Sequence, residues 1–210
     1  MAATKAIIFD YDGVLIDSFP VSVLAYNEFC RRNGKRERSA DEFKKLFDTD
    51  WRVGLARIGF KNKKDQEAMS KLFFEFMDEH SGSITMHDGM KDVLDTLKGK
   101  YKLAIVSNNY EQVMTKKLEE FGILDHFDCI IDIEHGEKPD PLQVFKCMEI
   151  LGVKPHETVM VGDMEGDIEA AKRAKLKKAI AVSFGFHHSA QLKDADIIVN
   201  SPRELLEAIE

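Results

Sequence analysis

A chain of 210 residues, 44% apolar and 32% charged, is long enough to bury a core and too apolar to stay disordered. Its formal net charge of -7 argues against a general nucleic-acid-binding surface. No stretch approaches the roughly 18 apolar residues of a membrane span, and the opening MAATKAIIFDYDG lacks the apolar region of a secretory signal. A cytoplasmic protein without nucleic-acid or membrane partners is expected. Cys30, Cys129 and Cys147 are odd in number and far apart, so they suggest small buried hydrophobes rather than a zinc pair or a disulfide framework.

The first strand is expected at 5–10 (KAIIFD). From there to residue 86 no convincing strand is found. Val21, Leu24, Ala25 and Phe29 suggest one apolar helix face, and Met69, Leu72, Phe73, Phe76 and Met77 fall at i, i+3, i+4, i+7 and i+8 of another. From residue 90 onward strand and helix alternate. Met90, Val93, Leu94 and Leu97 keep helical spacing, as do Met114, Leu118 and Phe121. Short β-branched runs mark strands at 102–107, 129–133, 158–162, 178–182 and 196–199. Continuous apolar runs of this kind suit strands covered on both faces. The expected fold is therefore α/β, a doubly wound and mainly parallel Rossmann-like sheet with an inserted α-helical domain. Residues 1–16 and 87–210 would form the sheet domain and 17–86 the insertion, with hinges near 16–20 and 83–89.

Ligands of open α/β sheets bind beyond the carboxyl ends of the strands, so the residues ending each strand carry the functional reading. The first strand ends in Asp10-Tyr11-Asp12-Gly13, the next in Ser107-Asn108-Asn109. Gly136-Glu137-Lys138-Pro139 follows the third, and Gly162-Asp163 ends the fourth, with Asp167 four residues on. In extended chain Asp10 and Asp12 leave the same face, and two close carboxylates must bind a proton or share a cation. Asp163 and Asp167 would also suit the start of a helix as capping and dipole partners. Ser107 could simply close a strand, and Lys138 could simply be solvated. Together, acidic oxygens at one sheet edge make a hard-cation site, with a hydroxyl and an ammonium beside it for phosphoryl oxygens.

These residues resemble the haloacid dehalogenase superfamily, in particular its capped phosphatases and sugar-phosphate mutases. The resemblance rests on FDYDGVLIDS, IVSNN, GEKPDP and VGDMEGDIEAAKRA, four motifs in order over nearly the whole chain. It implies that Asp10 is a nucleophile forming an aspartyl-phosphate and that Asp12 is the general acid and then base. It implies Mg2+ held by the Asp10 carboxylate, the Asp12 backbone carbonyl and Asp163, with Asp167 in the outer shell. Ser107 and Lys138 would bind the phosphoryl oxygens, with Asn108 beside them. Val14, the hinge His87-Asp88-Gly89 where a proline commonly precedes the glycine, and Lys175 depart from the family pattern.

The insertion is rich in lysine and arginine, most of which are expected as solvated helix surface. Asp50-Trp51-Arg52 lies near the family's substrate-specificity turn, so Arg52 is a candidate for gripping a second anionic group. Trp51 could join it or could belong to the core of the insertion. His187 and His188 are expected as plain loop. The leading expectation is a phosphatase for a small phosphorylated metabolite, of the phosphoglycolate or sugar-phosphate kind. A phosphomutase is the alternative, and a non-catalytic phospho-acceptor is the alternative from a different class. A dehalogenase would not need the full acidic set, and no lysine, Lys44 and Lys45 included, is singled out for phosphonate chemistry. Walker and G-x-G-x-x-G patterns are absent. Monomer and homodimer remain open.

Overall fold

In the computed structural model, which describes residues 3–210, the expected first strand forms as β1 (Ala6–Phe9) with all four residues buried. Its side chains alternate between two cores. Ile7 and Phe9 join Val93, Leu94 and Leu118 on one face. Ala6 and Ile8 join Val144, Cys147 and Ile168 on the other.

After β1 the chain makes β2 (Ile16–Asp17) and enters α1 (Phe19–Arg32), α2 (Ala40–Leu46), α3 (Trp51–Arg57) and α4 (Lys63–Glu79), then returns through β3 (Thr85–Met86). β2 and β3 pair antiparallel, Ile16 with Met86 and Asp17 with Thr85, so the insertion leaves and rejoins the sheet domain through one short ribbon. This corrects the expectation of no strand before residue 86; two-residue strands are too short to show any period. A second correction concerns Leu24, which is 52% exposed. The buried face of α1 includes Ser22, Tyr26 and Cys30 beside Val21, Ala25 and Phe29, which turns Leu24 to the opposite side. The helices of the insertion pack on an aromatic cluster of Phe19, Tyr26, Phe29, Phe43, Phe47 and Phe60 with Leu55 and Met69.

From Met90 the alternation runs α5 (Met90–Leu97), β4 (Lys102–Val106), α6 (Glu111–Glu120), β5 (Cys129–Ile131), α7 (Leu142–Leu151), β6 (Thr158–Gly162), α8 (Glu165–Arg173), β7 (Lys178–Val182), β8 (Ile197–Val199) and α9 (Leu205–Ile209). The strands lie in the order β5-β4-β1-β6-β7-β8, and every neighbouring pair is parallel. The chain builds outward from β1 to β4 and β5, then crosses back to β6, β7 and β8. That reversal opens a crevice at the carboxyl end of β1, where a doubly wound sheet binds its ligand. The expected strand at 129–133 is shorter because Ile133–His135 turns into a 3-10 segment. Lys175 takes the left-handed conformation (φ 56) just past α8, the position where the family pattern has glycine.

Candidate active site

Asp10 is the first residue beyond β1 and is 7% exposed. Its Oδ1 accepts the Tyr11 amide at 2.7 Å and lies 2.8 Å from the ammonium of Lys138. Lys138 comes from the connection between β5 and α7 and is itself buried. Its Nζ also meets Asp167 Oδ1 at 2.5 Å and donates to the Val106 carbonyl at 3.1 Å, which occupies all three of its donors. Asp167 stands in the first turn of α8, where its Oδ2 accepts the amides of Asp163 (3.2 Å) and Met164 (2.9 Å). The capping role open in the sequence is thus realised, and the other oxygen of the same carboxylate still faces the site.

Asp163, directly after β6, is fully buried. Its Oδ2 accepts the Phe186 amide at 2.6 Å, while Oδ1 has no hydrogen-bond partner among the described residues. Gly13 (φ +80) lets the chain leaving β1 cross this carboxylate: an added Cβ would stand 2.1 Å from Asp163 Oδ2. Asp10, Asp163 and Asp167 each bring an oxygen into a group whose members lie within 4.8 Å of one another.

Three carboxylates and one ammonium leave uncompensated negative charge in a buried place. Burial pushes the Asp10 carboxyl up to about 7; Lys138 opposes the rise, and Asp167 and Asp12 add to it. Burial, then Asp10 and Asp167, hold Asp163 well above the usual carboxylate range. Burial acts to lower Lys138, but the attraction of Asp10 and Asp167 outweighs it and raises the ammonium above its ordinary value. A hard divalent cation fits this donor set: all-oxygen ligands, excess negative charge and an orphaned buried acceptor.

The Asp12 carboxylate turns elsewhere. Oδ1 accepts from the Ser18 hydroxyl at 2.6 Å and Oδ2 from the Asn109 amide at 2.9 Å. Burial raises its pKa, against these two hydrogen bonds and the charge of Lys138. Ser107, buried at the end of β4, accepts the Asn109 amide N–H on its Oγ at 3.2 Å. The Asn108 side chain, expected beside the phosphoryl oxygens, is instead spent on the Lys138 backbone. It accepts the Lys138 N–H at 2.8 Å and donates to the Lys138 carbonyl at 3.2 Å. Trp51 packs partly buried against the aromatic cluster of the insertion. The Arg52 guanidinium lies 5.9 Å from the Trp51 ring centroid; its Nη2 reaches Glu137 Oε2 at 2.9 Å and its Nε reaches Asp50 Oδ1 at 2.6 Å. Arg52 thus ties α3 to the residue before Lys138.

Several residues have a positioning role that the sequence pattern does not disclose. Asn109 and Ser18 hold Asp12. Gln143, fully buried, donates to the carbonyls of Ser107 (2.8 Å) and Asp132 (2.7 Å) and so fixes the ends of β4 and β5 together. Ser18 and Asn109 end the first two motifs and Gln143 lies two residues past the third, but nothing there says what their side chains hold. His187 lies in a loop, as expected, and there joins the insertion to α8. It is 1% exposed, with Nδ1 accepting the Glu165 amide at 3.3 Å and Nε2 on the Phe47 carbonyl at 3.2 Å. His188 lies 3.1 Å from Asp41 on α2.

Residues 7–181 match the model of the haloacid dehalogenase-like hydrolases. The chain belongs to that family. It is 31% identical to a phosphoglycolate phosphatase of Aquifex aeolicus over 98% of this chain and 97% of that one. It is 30% identical to a phosphoglycolate phosphatase of Chromobacterium violaceum over 98% of this chain and 96% of that one. Among solved structures, a haloacid dehalogenase-like family hydrolase of Streptococcus pneumoniae superposes with a TM-score of 0.88 at 20% identity, covering 100% of both chains. A superfamily hydrolase of Geobacter sulfurreducens does so with a TM-score of 0.70 at 25% identity, over 98% of this chain and 100% of that one. The shared fold is the Rossmann-like sheet domain with a cap, so the helical insertion is the cap.

Proposed function

We propose that this phosphatase hydrolyses a small phosphorylated metabolite with Asp10 as nucleophile and Mg2+ held by the carboxylates of Asp10 and Asp163 and the backbone carbonyl of Asp12, with Asp167, already paired with Lys138, in the outer shell. The observation that carries the reading is the convergence of those three carboxylates and Lys138 in one buried site at the carboxyl end of β1. Phosphoglycolate is the first substrate to test, since the two curated relatives carry that name over nearly their whole length.

The chemistry asked of the protein is positioning and charge neutralisation. The Tyr11 amide and Lys138 anchor Asp10 Oδ1, which fixes the orientation of the carboxylate and leaves its other oxygen to attack phosphorus. Lys138 offsets the repulsion between an anionic nucleophile and an anionic phosphoryl group, and Ser107 stands ready for an equatorial oxygen. Bound Mg2+ would withdraw charge from those oxygens as a Lewis acid. Asp12, whose pKa burial raises, delivers a proton to the leaving oxygen and then accepts one from the attacking water. Ser18 and Asn109 hold it in place for both steps. Residues 17–86 form the cap, with the β2–β3 ribbon as the joint that lets it exclude water during transfer.

Release of phosphate from a panel of phosphorylated metabolites, with Mg2+ and with chelator, tests the reading. Phosphoglycolate or a sugar phosphate is expected to be cleaved only with the metal, and Asp10→Asn to abolish turnover in a folded protein. Turnover untouched by chelator would remove the metal, and wild-type turnover by Asp10→Asn would remove the nucleophile. A requirement for a bisphosphorylated activator would turn the reading to a mutase.

A further inference from the structure

The loop after β7 touches two things at once: the most deeply buried carboxylate of the acidic cluster and the apolar heart of the cap. On the sheet side, the Phe186 amide donates to Asp163 Oδ2 at 2.6 Å. The backbone at Gly185 lies so close that an added Cβ would stand 2.2 Å from the same oxygen, so no larger residue fits there. On the cap side, the Phe186 ring meets Phe19 edge-on at 5.2 Å and Phe47 at 5.3 Å between centroids. Lys44 of α2 donates from Nζ to the Gly185 carbonyl at 2.7 Å. His187 bridges the Phe47 carbonyl to the first turn of α8, and Thr49 Oγ1 accepts the Gly166 amide of that same turn at 3.0 Å.

The cap is therefore anchored on the two segments that orient Asp163 and Asp167. Aromatic packing of this kind is lost as a unit when one face withdraws, and Phe186 cannot follow the cap without drawing its own amide from Asp163. The oxygen that amide holds is Oδ2, which leaves the unpartnered Oδ1 for a cation. Hydrogen-bond partners of metal ligands are worth about 10–100-fold in metal affinity.

We propose that Phe186 is a positioning residue that couples the seating of the cap to the divalent-cation affinity of the Asp163 cluster. The proposal rests on the metal reading above. Linkage makes it reciprocal: a cation held more tightly with the cap seated must itself favour the seated cap by the same factor.

Calorimetric titration of the full chain with MgCl2 tests this directly. Phe186→Ala is expected to bind about tenfold more weakly than wild type, and Phe186→Leu, which still fills the gap between Phe19 and Phe47, within about threefold. Lys44→Met, which cuts only the tie from the cap to the Gly185 carbonyl, is expected to fall between them. Proteolysis of the cap supplies the reciprocal readout: Mg2+ should slow it in the wild type and much less in Phe186→Ala. Wild-type affinity in folded Phe186→Ala would overturn the proposal while leaving the metal reading intact. If Phe186→Ala does not fold, wild-type affinity and wild-type Mg2+ protection in Lys44→Met would do the same. A wild-type protein that binds no Mg2+ would overturn both.

Discussion

The sheet edge and the cap of this molecule are held together by opposite means. At the carboxyl end of β1, charged groups are buried and nearly every polar atom has a named partner, so Lys138 alone contacts Asp10, Asp167 and the Val106 carbonyl. In the cap, stability comes from aromatic rings, and its ion pairs, such as Lys45 with Asp41, stand in solvent with side chains 64% and 63% exposed. Chemistry at the edge depends on individual atoms, whereas the cap depends on apolar volume that many sequences could supply.

The contrast is sharpest in what removal of one lysine does. Lys138→Met leaves two buried carboxylates facing each other and is expected to cost about 3–5 kcal/mol in urea unfolding of the metal-free protein. Lys45→Ala, the corresponding loss in the cap, is expected to leave the unfolding midpoint unchanged. Similar midpoints for the two variants would break the comparison.

Acidity separates the regions next. From about pH 4 to about pH 7 the unfolded chain has released the Asp10 proton while the folded chain retains it, since burial raises this carboxyl from 3.8 to about 7. The folded state then binds more protons than the unfolded one, so stability falls as pH rises through that window. Asp163 and Asp12 shift in the same direction. These three carboxyls should therefore take stability from the metal-free protein between about pH 4 and pH 7, read in thermal unfolding as the slope lost in Asp10→Asn, and added Mg2+ should flatten it; His87 and His187, held below the usual imidazole range by burial, act in the opposite direction. If Asp10→Asn leaves the slope unchanged and Mg2+ has no effect on it, burial does not raise these carboxyls.

Arg52→Ala probes the border between the two regions. Its guanidinium already pairs with Glu137 and Asp50, both partly exposed, so little stability is expected to depend on it. If a second anionic group of the substrate displaces Glu137, the variant should raise KM severalfold with kcat nearly unchanged. Unchanged KM would confine Arg52 to the tie between α3 and the Lys138 segment.

The same contrast explains what could be read from the sequence. Asp10, Ser107, Lys138 and Asp163 each follow a short apolar strand, so the strand pattern alone brings them to one edge, and the structure places them there. The spacing of Asp167 from Asp163 puts it in the first turn of α8, where it serves both the helix and the cluster. The roles missed are those set by partners elsewhere in the fold: Asn109, inside the second motif, on Asp12, Gln143 on Ser107 and Asp132, and Phe186 on Asp163. No local period encodes such a pairing. The β2–β3 ribbon was too short to show, and the exposure of Leu24 depended on polar Ser22 and aromatic Tyr26 sharing the buried face of α1.

Whether Asp10 accepts the phosphoryl group is the question on which the rest depends. In Asp12→Asn, which keeps the nucleophile and removes both the general acid and the later base, incubation with acetyl phosphate, whose leaving carboxylate needs no proton, and Mg2+, followed by acid quench and peptide mass spectrometry, should find the phosphoryl group on Asp10. A phosphorylated residue elsewhere, or steady turnover by this variant without any modification of Asp10, would contradict the account.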